Sequence, residues 1–126
     1  MSDYSISSHS SGAQLCTLPN GLTIILLEDK NAPVVSVQAW CEAGSIHEDK
    51  WLGAGLSHVL EHMLFKGTTT RGKGRIDQEV QEAGGYMNAY TSFDRTVYYI
   101  NTPSSGTHVA VDILCDIMQN ASLPED

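Results

Sequence analysis

Positive charge is scarce in this sequence: seven Lys and Arg stand against fifteen Asp and Glu, a formal net charge of −8 over 126 residues. Nucleic acids and anionic membranes are held by clustered cations, so neither is expected as a partner. The cations that fall close together, Lys66, Arg71, Lys73 and Arg75, fit a solvated loop better than a phosphate site. Cysteine is sparse too. Cys16, Cys41 and Cys115 are odd in number and show no C-x-x-C spacing, which argues against a disulfide framework and for reduced thiols in the cytoplasm. Long apolar runs are missing, and TIILL at 23–27 is only strand-sized, so no membrane span is expected. The opening MSDYSISSHSSGAQ lacks both the apolar stretch of a signal peptide and the arginines of a mitochondrial presequence.

What is present suits one globular domain, with 41% apolar and 17% charged residues. Residues 1–13 are Ser-rich and are expected to be disordered, leaving 14–126 as the folded part. LCTLPNGLTIILLED suggests two strands joined at Asn20-Gly21, and the apolar run 22–27 suits a strand covered on both faces. Val35, Val37, Ala39 and Cys41 share one face of a further strand. A helix is expected over 52–66 and another over 75–83, ended by Gly84-Gly85. YMNAYTSF and TVYYINT pair around Asp94-Arg95. A last amphipathic helix runs to Asn120, capped by Ser104 or Ser105, with Val109, Ile113, Leu114, Ile117 and Met118 opposing Asp112, Asp116 and Gln119. Hairpins rather than βαβ crossovers give an α+β fold, an antiparallel sheet backed by helices.

The chemistry concentrates in GLSHVLEHMLFKGT at 55–68. On a helix with about 100° per residue, His58, Glu61, His62 and Phe65 fall on one side. Leu52, Leu56, Val59, Leu60 and Met63 fall on the other, an arrangement suited to a metal-bearing helix packed on a sheet. Imidazoles at i and i+4 can reach one Zn²⁺ at about 2.0–2.1 Å, and a carboxylate at i+3 is placed to take a proton from water activated there. The order H-x-x-E-H is the inverzincin motif. Two histidines kept for structural reasons on a buried helix remain the alternative at this point.

GAGLSHVLEHMLFKGT together with AGGYMNAYTSFDRTVYYI, and AGSIHED before them, resembles the pitrilysin/insulinase-type family of zinc metallopeptidases from about Leu15 onward. The resemblance implies the N-terminal part of a metallopeptidase α/β-roll domain, truncated, with one Zn²⁺ per site. It implies His58 and His62 as ligands and Glu61 as general base. It also implies that Asn88, Ala89 and Tyr90 lie on an edge strand that receives the peptide or protein substrate as an added strand, with Phe65 as a wall beside the metal. The family's third ligand, a glutamate on a later helix, has no counterpart here, so the isolated chain is expected to be inactive. The remainder of the peptidase or a homologous subunit is the expected partner. A non-catalytic homologue, or a zinc- or peptide-binding module, is the alternative.

Overall fold

The computed structural model describes residues 4–123. It divides into two compact units, Met1–Pro33 and Val34–Asp126, where the sequence suggested one folded part from residue 14.

The first unit is a three-stranded antiparallel meander of β1 (Ser5–Ser8), β2 (Gln14–Thr17) and β3 (Thr23–Leu26). The β2–β3 turn contains Gly21 at φ +89°, and the Asn20 side chain accepts a hydrogen bond from the Leu22 N–H at 3.1 Å. Asn-Gly therefore makes the turn its chemistry favours. Two expectations are corrected here. Residues 1–13 were expected to be disordered, yet Ser5–Ser8 is a strand in register with β2, because the backbone ladder needs no particular side chains. Ile24, Ile25 and Leu26 are exposed rather than covered on both faces, since the meander has no second layer of its own.

The second unit holds the chemistry. In chain order it runs β4 (Val34–Cys41), a 3-10 segment (Ser45–Trp51), α1 (Leu56–Leu64), α2 (Arg75–Glu82), β5 (Tyr86–Thr91), β6 (Thr96–Pro103) and α3 (Thr107–Asn120). The strands form an antiparallel sheet in the order β4-β6-β5, so β6 is central and β5 is an edge. Val35, Val37, Ala39 and Cys41 alternate inward as expected. Tyr98 and Ile100 of β6 meet Ile76 and Val80 of α2, and Ala110, Ile113, Leu114 and Ile117 of α3. Each such side chain is worth about 1.5–3 kcal/mol when fully buried, so this contact fixes the helices on the sheet. The α+β architecture is the expected one. Among the described residues no helix is long and apolar enough to cross a membrane.

Three details differ from the sequence pattern. The helix expected from residue 52 starts at Leu56, after Gly53 and Gly55 adopt positive φ. Ser104 and Ser105 do not cap α3; they form a 3-10 turn in which the Ser104 carbonyl accepts a hydrogen bond from the Thr107 hydroxyl at 2.7 Å. Asp116, assigned to the solvent face, is buried. It accepts hydrogen bonds from Thr68 at 2.7 Å, Thr70 at 3.0 Å and the Arg71 guanidinium. Arg71 also pairs with Asp112 and, at 2.9 Å, with Glu79. That cation is therefore the centre of a carboxylate cluster, not part of a solvated loop. Burial opposes the Asp116 charge, but hydrogen bonds from Thr68, Asn120, Arg71 and Thr70 outweigh it and hold the carboxyl well below the usual carboxylate range.

Candidate active site

The rotation of α1 about its own axis decides what the site can do. Its inward stripe is Ser57, Glu61, Leu64 and Phe65, at i, i+4, i+7 and i+8. Glu61 is 6% exposed, whereas Leu56, Val59 and Leu60 are 49%, 56% and 48% exposed. The aliphatic face expected to pack on the sheet is thus turned away from it. On the inward side the Thr91 hydroxyl of β5 donates a 2.6 Å hydrogen bond to Glu61 Oε2 and so supplies the partner that a buried carboxylate needs.

This rotation leaves His58 and His62 at the rim, both exposed, with their Nε2 atoms 3.0 Å apart. Around a tetrahedral zinc with bonds of about 2.0–2.1 Å, two imidazole nitrogens lie about 3.3 Å apart. One ligand atom from each of His58, Glu61 and His62 can be chosen so that all lie within 4.8 Å of one another. Two imidazoles at this spacing are a donor pair that zinc accepts, with the Glu61 carboxylate beside them. The residues present fit the metal, and it is the one such cluster found among the described residues.

The N-terminal end of α1 is held from the 3-10 segment. Glu48, 7% exposed, accepts hydrogen bonds from the Ser57 N–H at 2.9 Å and the Gly55 N–H at 3.2 Å. The Ser57 backbone bond leads in holding its carboxyl below the ordinary glutamate value. The segment itself is pinned to the β5–β6 turn: the Ile46 N–H donates to the Phe93 carbonyl at 2.9 Å, and the Thr96 hydroxyl to the Ala43 carbonyl at 2.8 Å. Gly44 permits this approach, because a Cβ there would sit 2.4 Å from the Ser92 carbonyl oxygen. A hollow of about 370 Å³ lies between Ser45, Glu48, Gly55 and His58 on one side and residues Thr91 to Phe93 on the other.

β5 pairs only with β6. The Ser92 N–H donates to the Arg95 carbonyl at 2.7 Å. By the alternation of an antiparallel ladder, Asn88 and Tyr90 therefore bond to β6, while Met87, Ala89 and Thr91 turn their N–H and C=O groups to the open edge. The Asn88 side chain accepts a 2.8 Å hydrogen bond from the Ala89 N–H. On the faces, Met87, Ala89 and Thr91 are half-buried on the core side, and Tyr86, Asn88 and Tyr90 are exposed on the other.

The sequence-derived site residues are thus partly gathered. His58, Glu61 and His62 converge. Ala89 offers its backbone to the edge beside them, whereas the Asn88 and Tyr90 side chains leave from the sheet face opposite Thr91. Phe65 is half-buried and packs edge-to-face on Tyr98, with centroids 5.7 Å apart. The Tyr98 phenol is held above its ordinary range by burial first, then by the nearby Cys41 and Glu61. Sequence reasoning did not single out Thr91. Glu48 was noticed only as part of the downstream pattern in AGSIHED, without a role. A hydroxyl one residue past the exposed Tyr90, and so on the alternate face, was the available signal for the first.

The sequence profile of the insulinase family (peptidase family M16) matches residues 23–126. The chain belongs to that family. It is 44% identical over 111 residues to the mitochondrial-processing peptidase subunit beta of Lentinula edodes, covering 87% of this chain and 23% of that protein. It is 40% identical over 109 residues to a protein of Rickettsia felis described as an uncharacterized zinc protease, covering 86% of this chain and 26% of that one. A crystal structure of a protease from Helicobacter pylori superposes with a TM-score of 0.71 at 30% identity, covering all of this chain and 28% of that one. The chain therefore spans about a quarter of the length of these relatives.

Proposed function

We propose that this chain is the N-terminal part of a zinc-dependent endopeptidase, with His58 and His62 as metal ligands and Glu61 as general base. The observation that carries the proposal is the Thr91–Glu61 hydrogen bond, which joins the H-x-x-E-H helix to a strand whose other edge is open. Zinc held by the two imidazoles would supply Lewis acidity, polarising a carbonyl and making water nucleophilic near neutral pH. Glu61 takes the proton that the attacking water sheds and delivers it to the amine nitrogen as the C–N bond breaks. Thr91 keeps that carboxylate aimed along the strand edge. An extended peptide adds to β5 through the outward groups of Met87, Ala89 and Thr91, with Asn88, Tyr90 and Phe65 flanking it.

A catalytic zinc takes three protein ligands and keeps one open position, so a third ligand comes from outside this chain. The remainder of a longer peptidase or a homologous subunit would provide it. Cys16, Cys41 and Cys115 are all free, and the cytoplasm is the setting suggested by the sequence. Several relatives are named for mitochondrial processing, and fractionation decides between the two compartments.

In the complete peptidase, Glu61→Gln should retain zinc and lose about 10²–10⁴ in kcat. The isolated chain should bind zinc weakly, and either His58→Ala or His62→Ala should weaken that binding further, into the millimolar range, in a titration. Near-normal cleavage by the zinc-loaded Glu61→Gln enzyme would remove Glu61 from the reaction.

A further inference from the structure

His58 is the third residue of α1, in the turn of the helix most prone to fray. The residue at the cap position, Gly55, has no side chain to close that turn and sits in the left-handed region at φ +76°. Closure comes instead from Glu48, seven residues upstream, whose two carboxylate oxygens take the Ser57 and Gly55 N–H groups separately. A carboxylate at a helix N-terminus is also favoured by the macrodipole. The backbone is bent to deliver it. Asp49 has φ +47°, the one positive φ of a non-glycine residue among the described residues, and it directly follows Glu48. Strain of this kind persists only where the surroundings impose it. The 3-10 segment is in turn hydrogen-bonded to the β5–β6 turn, so the position of His58 is referred to the edge strand through Glu48. Glu61 is referred to the same strand through Thr91. Ligand and base are thereby set against one frame by two separate carboxylates.

We infer that Glu48 is a positioning residue for the metal site: by closing the first turn of α1 it holds His58 at the distance from His62 that a shared metal requires. The inference rests on the metal assignment above, and its test separates the two. In the 126-residue chain, amide exchange reads the turn without metal, and zinc titration followed through the histidine ring resonances reads the consequence.

Glu48→Ala should speed exchange at Ser57 and Gly55 by about tenfold or more relative to α3 amides. It should also weaken zinc binding by about tenfold or more, the usual scale for a group that orients a ligand. Glu48→Gln, which keeps one acceptor oxygen, should fall between the two; it also serves as the test if Glu48→Ala does not fold. At millimolar zinc, the Glu48→Ala effect should vanish in both His62→Ala and His58→Ala, because a single imidazole has no distance to a second ligand to keep. A general loss of stability would weaken both backgrounds alike, and that result would overturn the inference. So would unchanged exchange at Ser57. Absence of any zinc binding by the parent chain, with faster exchange and a mobile His58 ring in Glu48→Ala, would defeat the metal assignment while leaving the positioning role in place.

Discussion

As the proposed base, Glu61 sits in a nearly closed position and must still face reactants, and one hydroxyl reconciles the two. Thr91 Oγ1 satisfies one carboxylate oxygen and leaves the other free to handle a proton. Thr91→Val keeps the shape and removes the donor. In the complete peptidase it should lower kcat by about tenfold to a hundredfold with little change in KM, because misdirecting a base affects chemistry more than ground-state binding. Thr91→Ser should recover most of the loss. A steady-state comparison of the three variants checks this; equal rates for Val and Thr would mean that Glu61 is oriented by something else.

The elements differ in how far their sequences reveal them. β4 and β5 were legible because Val35, Val37, Ala39 and Cys41, and then Tyr86 to Thr91, alternate with a period of two that burial follows. α2 and most of α3 were legible through Ile76, Val80, Ile113 and Ile117, all buried. The clustering of His58, Glu61 and His62 was legible because the three side chains lie within five residues of each other. What escaped was the rotation of α1, since its inward partner, Thr91, lies thirty residues away and a hydrophobic pattern cannot register one hydrogen bond. Asp116 escaped for the same reason: its partners come from the loop after α1. The edge position of β5 invites a test at this scale. Ala89→Pro deletes an outward N–H and no bond to β6, so the strand should persist. In the complete peptidase KM should rise severalfold at unchanged zinc content. A folded variant with an unchanged KM would place the substrate elsewhere.

At the scale of the whole second unit, Arg71 joins the loop after α1 to α2 through Glu79 and to α3 through Asp112 and Asp116. Burial works against its charge, and the hydrogen bonds it donates to Glu79, Asp112 and Asp116 outweigh that and hold it protonated all the more firmly. Asp116→Ala removes a buried acceptor of four donors and should cost about 3 kcal/mol in denaturant unfolding, near the lower end for breaking a buried ion pair. Because the folded carboxyl sits below its ordinary value, its contribution is complete above about pH 4 and is lost as the pH falls further. The gap in stability between parent and Asp116→Ala should therefore narrow steadily as the pH falls below about 4. A gap that persists undiminished at low pH would assign the loss to packing, not charge.

The hydrogen bond from the Ala89 N–H to its neighbour Asn88 bears on how this chain keeps its own company. An open strand edge is a template for any other strand, including that of a second copy. Here the middle rung of the template is already taken. An arriving strand must first evict the Asn88 amide, and at that position it exchanges one bond for another instead of adding one. A chance encounter with another copy would consequently gain little in the centre of the edge. A peptide held to β5 at other points, as proposed for the substrate, would lose little by the exchange. One side chain turned back on its own backbone thus separates visitors by how well they are held elsewhere.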